Sequence, residues 1–223
     1  MEKSEKILVN NMNQNTQTYR NRLSYHATVL GGMALLAGTV LVLGEISTLE
    51  IIAERLAEDM RASLQQVIPA QRFDNDILQD VVSVTNDAGE PVDVYIGTHS
   101  GRISALAFQV SSQGYAGDIN IMIGLDASGN ILGVRVISHS ETPGLGDKIE
   151  LDKSDWVLSF NGLSLDNTPQ EQWGVKKDNG RFDQFTGATI TPRTVVREIH
   201  EGLEFFNHHK NDILSQYNLE NSP

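Results

Sequence analysis

The 223-residue chain contains no cysteine. That absence excludes disulfides, cysteine-ligated zinc, cysteine-held iron–sulfur clusters and a thiol nucleophile, so any redox chemistry must come from a bound cofactor. It leaves the compartment open, because both cytoplasmic and periplasmic proteins do without the residue. Basic side chains are also scarce. Lys and Arg total 17 against 29 Asp and Glu, a net charge of -12, which argues against a general nucleic-acid binder, whose phosphate contacts need a basic face. There is no Gly-x-Ser-x-Gly elbow and no convincing acid/base pair, so an anchored hydrolase lacks its machinery. The six histidines form no His/Asp/Glu set at ligand spacing and no metal is assigned. His200, His208 and His209 read as surface residues, and His139 is the one worth testing.

Long apolar runs are limited to one. Ala27 to Gly44 is free of charge over 18 residues, about 27 Å as a helix and close to the thickness of a bilayer core. Arg20 and Arg22 precede it and Glu45 and Glu50 follow, which predicts a cytoplasmic N-terminus and a large acidic part on the periplasmic side of a bacterial inner membrane. Residues 1–26 hold four basic and two acidic side chains, leaving 13 basic and 27 acidic for the rest. A cleaved signal peptide fits less well, since the polar lead is long and no small-x-small site closely follows the run. Beyond it, Ile46, Leu49, Ile52, Ala53, Leu56, Met60, Leu64 and Val67 continue a helical stripe that Pro69 ends. This segment reads either as a stalk continuing the anchor or as a helix packed on the domain behind it.

From Val81 the period becomes that of strands. VVSVTN, VDVYIG, RISALAFQV, DINIMIGLD and NILGVRVI are rich in β-branched residues and are divided by Gly, Pro, Asn and Ser turn signals. They predict an antiparallel meander. Val195, Val196, Ile199, Leu203 and Phe206 then recur on one helical face, so the expected class is α+β, with a twisted antiparallel sheet and packed helices behind a single N-terminal transmembrane helix. The divisions are 1–26 cytoplasmic segment, 27–44 span, 45–80 helical stalk or linker, 81–212 periplasmic domain and 213–223 tail.

Two loops carry the chemistry. His139-Ser140-Glu141-Thr142-Pro143-Gly144-Leu145-Gly146-Asp147-Lys148 is stiffened by proline and opened by glycine, so its backbone N–H groups can converge on a ligand such as a heteroaromatic ring. Asp183-Gln184-Phe185-Thr186-Gly187-Ala188-Thr189 runs into Ile190-Thr191-Pro192 at the mouth of the patterned helix. Gly187 and Ala188 permit close approach, and a helix start favours negative charge, which suits a phosphate. Taken alone, each loop also fits a plain connection, the second with Thr191 as helix N-cap. Lys176 and Lys177 stand near enough to offset phosphate charge, although paired lysines on a strand are more often solvated.

Together, HSETPGLGDKIE and VKKDNGRFDQFTGATITP, with the Gly114-Tyr115-Ala116-Gly117 turn and Trp156 between strands and signature, resemble the G subunit of the Rnf/Rsx ion-translocating electron transport complex. The C subunit of the sodium-pumping NADH:quinone oxidoreductase shares the FMN-binding domain and the Ser/Thr-Gly-Ala-Thr signature and is the alternative. A pilin-like structural protein, also built from a span, a stalk and a β-rich head, resembles the chain only in outline.

The resemblance implies an FMN-binding domain and FMN attached covalently, through its phosphate, to Thr189 by an FAD-dependent flavin transferase. Asp183, Thr186, Gly187, Ala188 and Thr189 match that enzyme's recognition pattern. Glu141, Thr142, Leu145 and Gly146 are the candidates for lining the flavin ring, and Thr186, Gly187 and Ala188 join Thr189 as candidate cofactor-binding residues. The partners implied by the resemblance are the membrane and the other membrane subunits of the complex, with no nucleic acid. The activity implied is electron relay within a membrane translocase, with this chain the carrier.

Overall fold

The computed structural model describes residues 2–86 and 89–220, those at 2–24, 46–47, 49–51, 53 and 219–220 by their backbone alone. The chain divides into two units, residues 1–56 and 57–223. The described residues of the first are all helical, part of a helix α1 (Glu2–Val67). Within it, Tyr25–Glu45 is apolar and long enough to cross a membrane, and none of it is buried. It is a candidate membrane span by length and composition, extending the run read from sequence by two residues at the N-terminal end and one at the C-terminal end.

The second unit is built on the expected meander. Strands β1 (Val81–Thr85), β2 (Pro91–His99), β3 (Arg102–Gln113), β4 (Asp118–Asp126) and β5 (Ile131–Ser138) pair in sequence order, each antiparallel to the next. The tightest connection is His99–Ser100–Gly101–Arg102. Ser100 and Gly101 have φ of 52° and 72°, the pair of positive values that a type I′ hairpin turn needs. One face of the sheet carries Val82, Val94, Phe108, Ile121 and Ile123 against helix α2 (Ile190–Glu220), which contributes Val195, Val196, Ile199, Leu203 and Phe206 as its periodicity predicts. The opposite face carries Ala105, Ala107 and Met122 under Leu64, Val67, Ile68 and Ile77.

This second layer decides how the stripe through Val67 is used: its last turns pack on the domain, so the folded unit starts well before residue 81. Gly124 and Gly133 face each other across β4 and β5, where a Cβ on Gly133 would stand 2.9 Å from the Val67 backbone. Side chains there would lift the helix end off the sheet. At the other end, α2 continues to Glu220 with Ile213 fully buried, so packing also runs past residue 212. Helix α2 begins at Ile190, one residue before the Thr191 that reads as its N-cap. Thr191 lies inside the first turn and Thr189 immediately precedes the helix.

Candidate functional site

The segment leading to α2 is held by aromatic packing. Trp156, in a 3-10 turn over Asp155–Phe160 capped by Ser154, meets Phe160 and Phe185 edge-on, and Phe160 stacks on Phe182 at 4.3 Å between ring centroids. The indole N–H of Trp156 donates to the Asp183 carbonyl at 2.8 Å. From this support the chain turns at Phe185–Ala188. The Ala188 N–H bonds the Phe185 carbonyl at 3.1 Å and Gly187 sits at φ 83°, the third-position geometry of a type II turn, which glycine adopts without strain. The turn delivers Thr189, half-buried, to the first turn of α2.

Thr189 faces a cavity of about 160 Å³, walled by Tyr115, Glu141, Thr142, Leu145, Gly146, Gly187, Ala188, Thr189, Ile190 and Thr191. The two loops singled out in the sequence therefore meet. Of the residues expected there, Glu141, Thr142, Leu145, Gly146, Gly187, Ala188 and Thr189 are on the wall. Thr186 is not: it is exposed. Asp183, expected only in the recognition pattern, is exposed as well, and its carboxylate pairs with Lys176 at 2.6 Å on the surface. Lys176 and Lys177 lie in a 3-10 turn over Lys176–Asp178, not on a strand. Tyr115, Ile190 and Thr191 were not anticipated. The glycine-flanked Gly114-Tyr115-Ala116-Gly117 turn is the one signal that pointed toward Tyr115.

The free polar groups at this site are specific. No acceptor among the described residues takes the backbone N–H of Ile190 or Thr191, as expected for a first helical turn, whose amides collect an anion. The Thr189 hydroxyl has no hydrogen-bond partner there either. The Pro-Gly loop behaves differently from its sequence expectation: the N–H groups of Leu145 and Gly146 both donate inward, to the Thr142 carbonyl at 3.1 Å, and do not converge on the cavity. A phosphate fits the α2 end of the site. The apolar walls of Tyr115, Leu145 and Ile190, all exposed at the mouth, fit a flat ring.

Glu141 organises the whole arrangement. It is 5% exposed. Its Oε1 accepts from the Tyr115 and Ala116 N–H groups at 2.8 and 3.1 Å, and its Oε2 accepts from the Thr191 hydroxyl at 2.5 Å. Three segments distant in sequence are thus tied by one side chain. Glycines make room for it: a Cβ on Gly114 would collide with Oε1, and one on Gly146 would lie 2.7 Å from Oε2. Behind it, the Glu141 N–H donates to His139 Nδ1 at 3.0 Å, and His139 Nε2 meets Glu150 Oε1 at 2.6 Å. With Nδ1 accepting, Nε2 carries the proton and donates it toward Glu150. His139 is a support of the wall, not part of it. Among the described residues no three His, Asp or Glu side chains gather as a metal site.

The FMN-binding domain family matches residues 114–204, spanning the Gly-flanked turn, both loops and about the first half of α2. The G subunit of the ion-translocating oxidoreductase complex of Stutzerimonas stutzeri is 48% identical over 189 residues, covering 85% of this chain and 83% of its own. That of Cereibacter sphaeroides is 45% identical over 84% of this chain and 85% of its own. The chain belongs to the G-subunit family of ion-translocating oxidoreductase complexes. The crystal structure of Shewanella oneidensis NqrC aligns with a TM-score of 0.45 and 22% identity, over 69% of this chain and 74% of that one. The G-subunit resemblance read from the two loops holds, and the α+β class with an N-terminal apolar helix holds with it.

Proposed function

We propose that the chain is the membrane-anchored electron carrier of an ion-translocating oxidoreductase, with FMN joined through its phosphate to the Thr189 hydroxyl. The observation that carries this reading is the pairing, in one cavity, of an unengaged threonine hydroxyl with the unengaged amides of Ile190 and Thr191 at the start of a long helix. The phosphoester keeps a negative charge, and a helix start stabilises such a charge by about 0.3–1 kcal/mol at an exposed site, more where it is partly buried. When bound, the flavin accepts and releases electrons; the protein supplies attachment, orientation and electrostatics.

The chain's own residues divide that work. Gly187 and Ala188 keep the turn thin enough for the phosphate to approach the backbone. Tyr115, Leu145 and Ile190 present apolar surface to the ring, and Thr142 and Gly146 complete the wall. Asp183 and Thr186, exposed on the approach to the turn, are accessible to an FAD-dependent flavin transferase and serve its recognition, not the cavity. Tyr25–Glu45 anchors the chain in the inner membrane with residues 1–24 on the cytoplasmic side and the FMN domain in the periplasm, beside the other membrane subunits.

The test is intact-mass analysis of the chain purified from its own host, alongside Thr189→Ala. The parent chain is expected to carry one FMN phosphoryl adduct and to fluoresce on a denaturing gel, and the variant to lose both completely. Its melting temperature should stay near that of the flavin-free parent chain, because a small half-buried side chain at a turn is removed. An unmodified parent chain, or a variant that is still modified, refutes the reading.

A further inference from the structure

Among the described residues Glu141 is the one charged side chain on the cavity wall, and nothing in the attachment of a cofactor to Thr189 requires a charge there. Its carboxylate accepts bonds from two amides and one hydroxyl. Among the described residues no Lys, Arg or His pairs with it, so its charge is held by neutral donors and is not cancelled by a cation. Asp147 is also buried, but it is not on the wall. A fixed, poorly solvated anion beside a redox centre acts on that centre through a low effective dielectric.

We propose that Glu141 is a positioning residue that also sets the reduction potential of the flavin, holding it lower than the same cavity would without the charge; this rests on the FMN reading above. In the step concerned, one electron passes to the ring from a one-electron donor, dithionite in the titration below, the donor is oxidised by one electron, and no bond at Glu141 forms or breaks. The added negative charge is repelled by the carboxylate, which disfavours the reduced flavin. The same side chain fixes where the ring meets the charge, because it ties the Tyr115 turn to the first turn of α2.

The two contributions separate by substitution. Glu141→Gln keeps the shape: its carbonyl oxygen accepts both amide bonds and its NH₂ donates to a rotated Thr191 hydroxyl. Thr191→Val keeps the charge and removes one of the donors that stabilise it. The experiment is potentiometric titration with dithionite of the full chain purified with its flavin from its own host, with intact mass reporting attachment. Glu141→Gln is expected to keep its flavin and to favour the one-electron reduced form about tenfold, a positive shift of about 59 mV for a one-electron couple. Thr191→Val is expected at or below the parent potential.

A parent-like potential in Glu141→Gln overturns the proposal. So does a positive shift in Thr191→Val, since loosened packing and not charge would then move the potential. If Glu141→Gln does not fold or is not modified, Thr191→Val decides by the sign of its shift. A parent chain without flavin refutes the Thr189 reading itself, and this proposal with it.

Discussion

Between Tyr25 and Glu45, helix α1 leaves Leu30 and Leu41 73% and 74% exposed, whereas α2 hides Val195, Ile199, Leu203 and Ile213 almost completely. Both helices are long and both use aliphatic side chains. The difference is arrangement: the first is apolar on every side and the second along one stripe, with Glu198, Glu201 and Lys210 elsewhere. A stripe specifies a protein surface as partner, and apolarity all round specifies a solvent that is itself apolar. Helix α2 adds a demand that the apolar segment does not make, a polar tether at its first turn, where Thr191 is fully buried against Glu141.

Charge placed in the apolar segment breaks the comparison most strongly. Leu35→Arg together with Leu36→Arg should weaken insertion by about 5–7 kcal/mol, at about 2.5–3.5 kcal/mol per arginine near the centre of a span. The expected outcome is loss of the chain from the membrane fraction, measured by carbonate extraction. The domain's melting temperature should not move, because neither side chain is buried in it. Retention in the membrane would show that another segment anchors the chain.

The matching cut in α2 has the opposite signature. Ile199 is fully buried in the core beneath the sheet, and truncating a buried isoleucine to alanine costs about 2–5 kcal/mol, from lost transfer energy and the cavity left behind. Ile199→Ala should therefore lower the denaturation midpoint of the domain without changing membrane partition. A loss below about 1 kcal/mol would mean that α2 packs less closely than described.

The sequence made the stripe of α2 and the five strands legible because their periods, 3.6 and 2, are set locally. The two loops of the cavity were legible for a similar reason, since Pro143, Gly144, Gly146 and Gly187 mark sharp turns wherever they occur. Glu141 was legible as a wall residue but not as the tie between walls. Its partners Tyr115 and Thr191 lie 26 and 50 positions away, and no local pattern encodes a bond of that span. The start of α2 was not legible because Thr189 and Thr191 are both capping types; the helix begins at Ile190, and the Thr191 hydroxyl is committed to Glu141 and not to a cap. The dual use of α1 was ambiguous because one unbroken stripe serves a stalk or a packed helix equally, until Gly124 and Gly133 are seen to make room for Val67.

The smallest effect concerns the other tether at the start of α2. Arg193 lies in the first turn, where a cation opposes the helix dipole, and the first turn contains no acid. Asp178 compensates from the preceding 3-10 turn, meeting the guanidinium with two bonds of 2.6 Å. Those hydrogen bonds from Arg193 hold the Asp178 carboxyl below the ordinary aspartate range. A carboxyl depressed in the folded state contributes stability above its unfolded value, about pH 3.9, and loses it as pH falls through the lower folded value. Asp178→Asn should therefore melt slightly below the parent at pH 6, with the gap closing below about pH 4. Because the pair is solvent-exposed, the gap at pH 6 should also shrink in 1 M salt, where the screening length falls to about 3 Å. A gap that persists at low pH would assign the effect to packing at the Asp178 turn. Closure under both conditions would show that α2 is tethered at its first turn by charge outside the cavity as well as by the buried Glu141 bond within it.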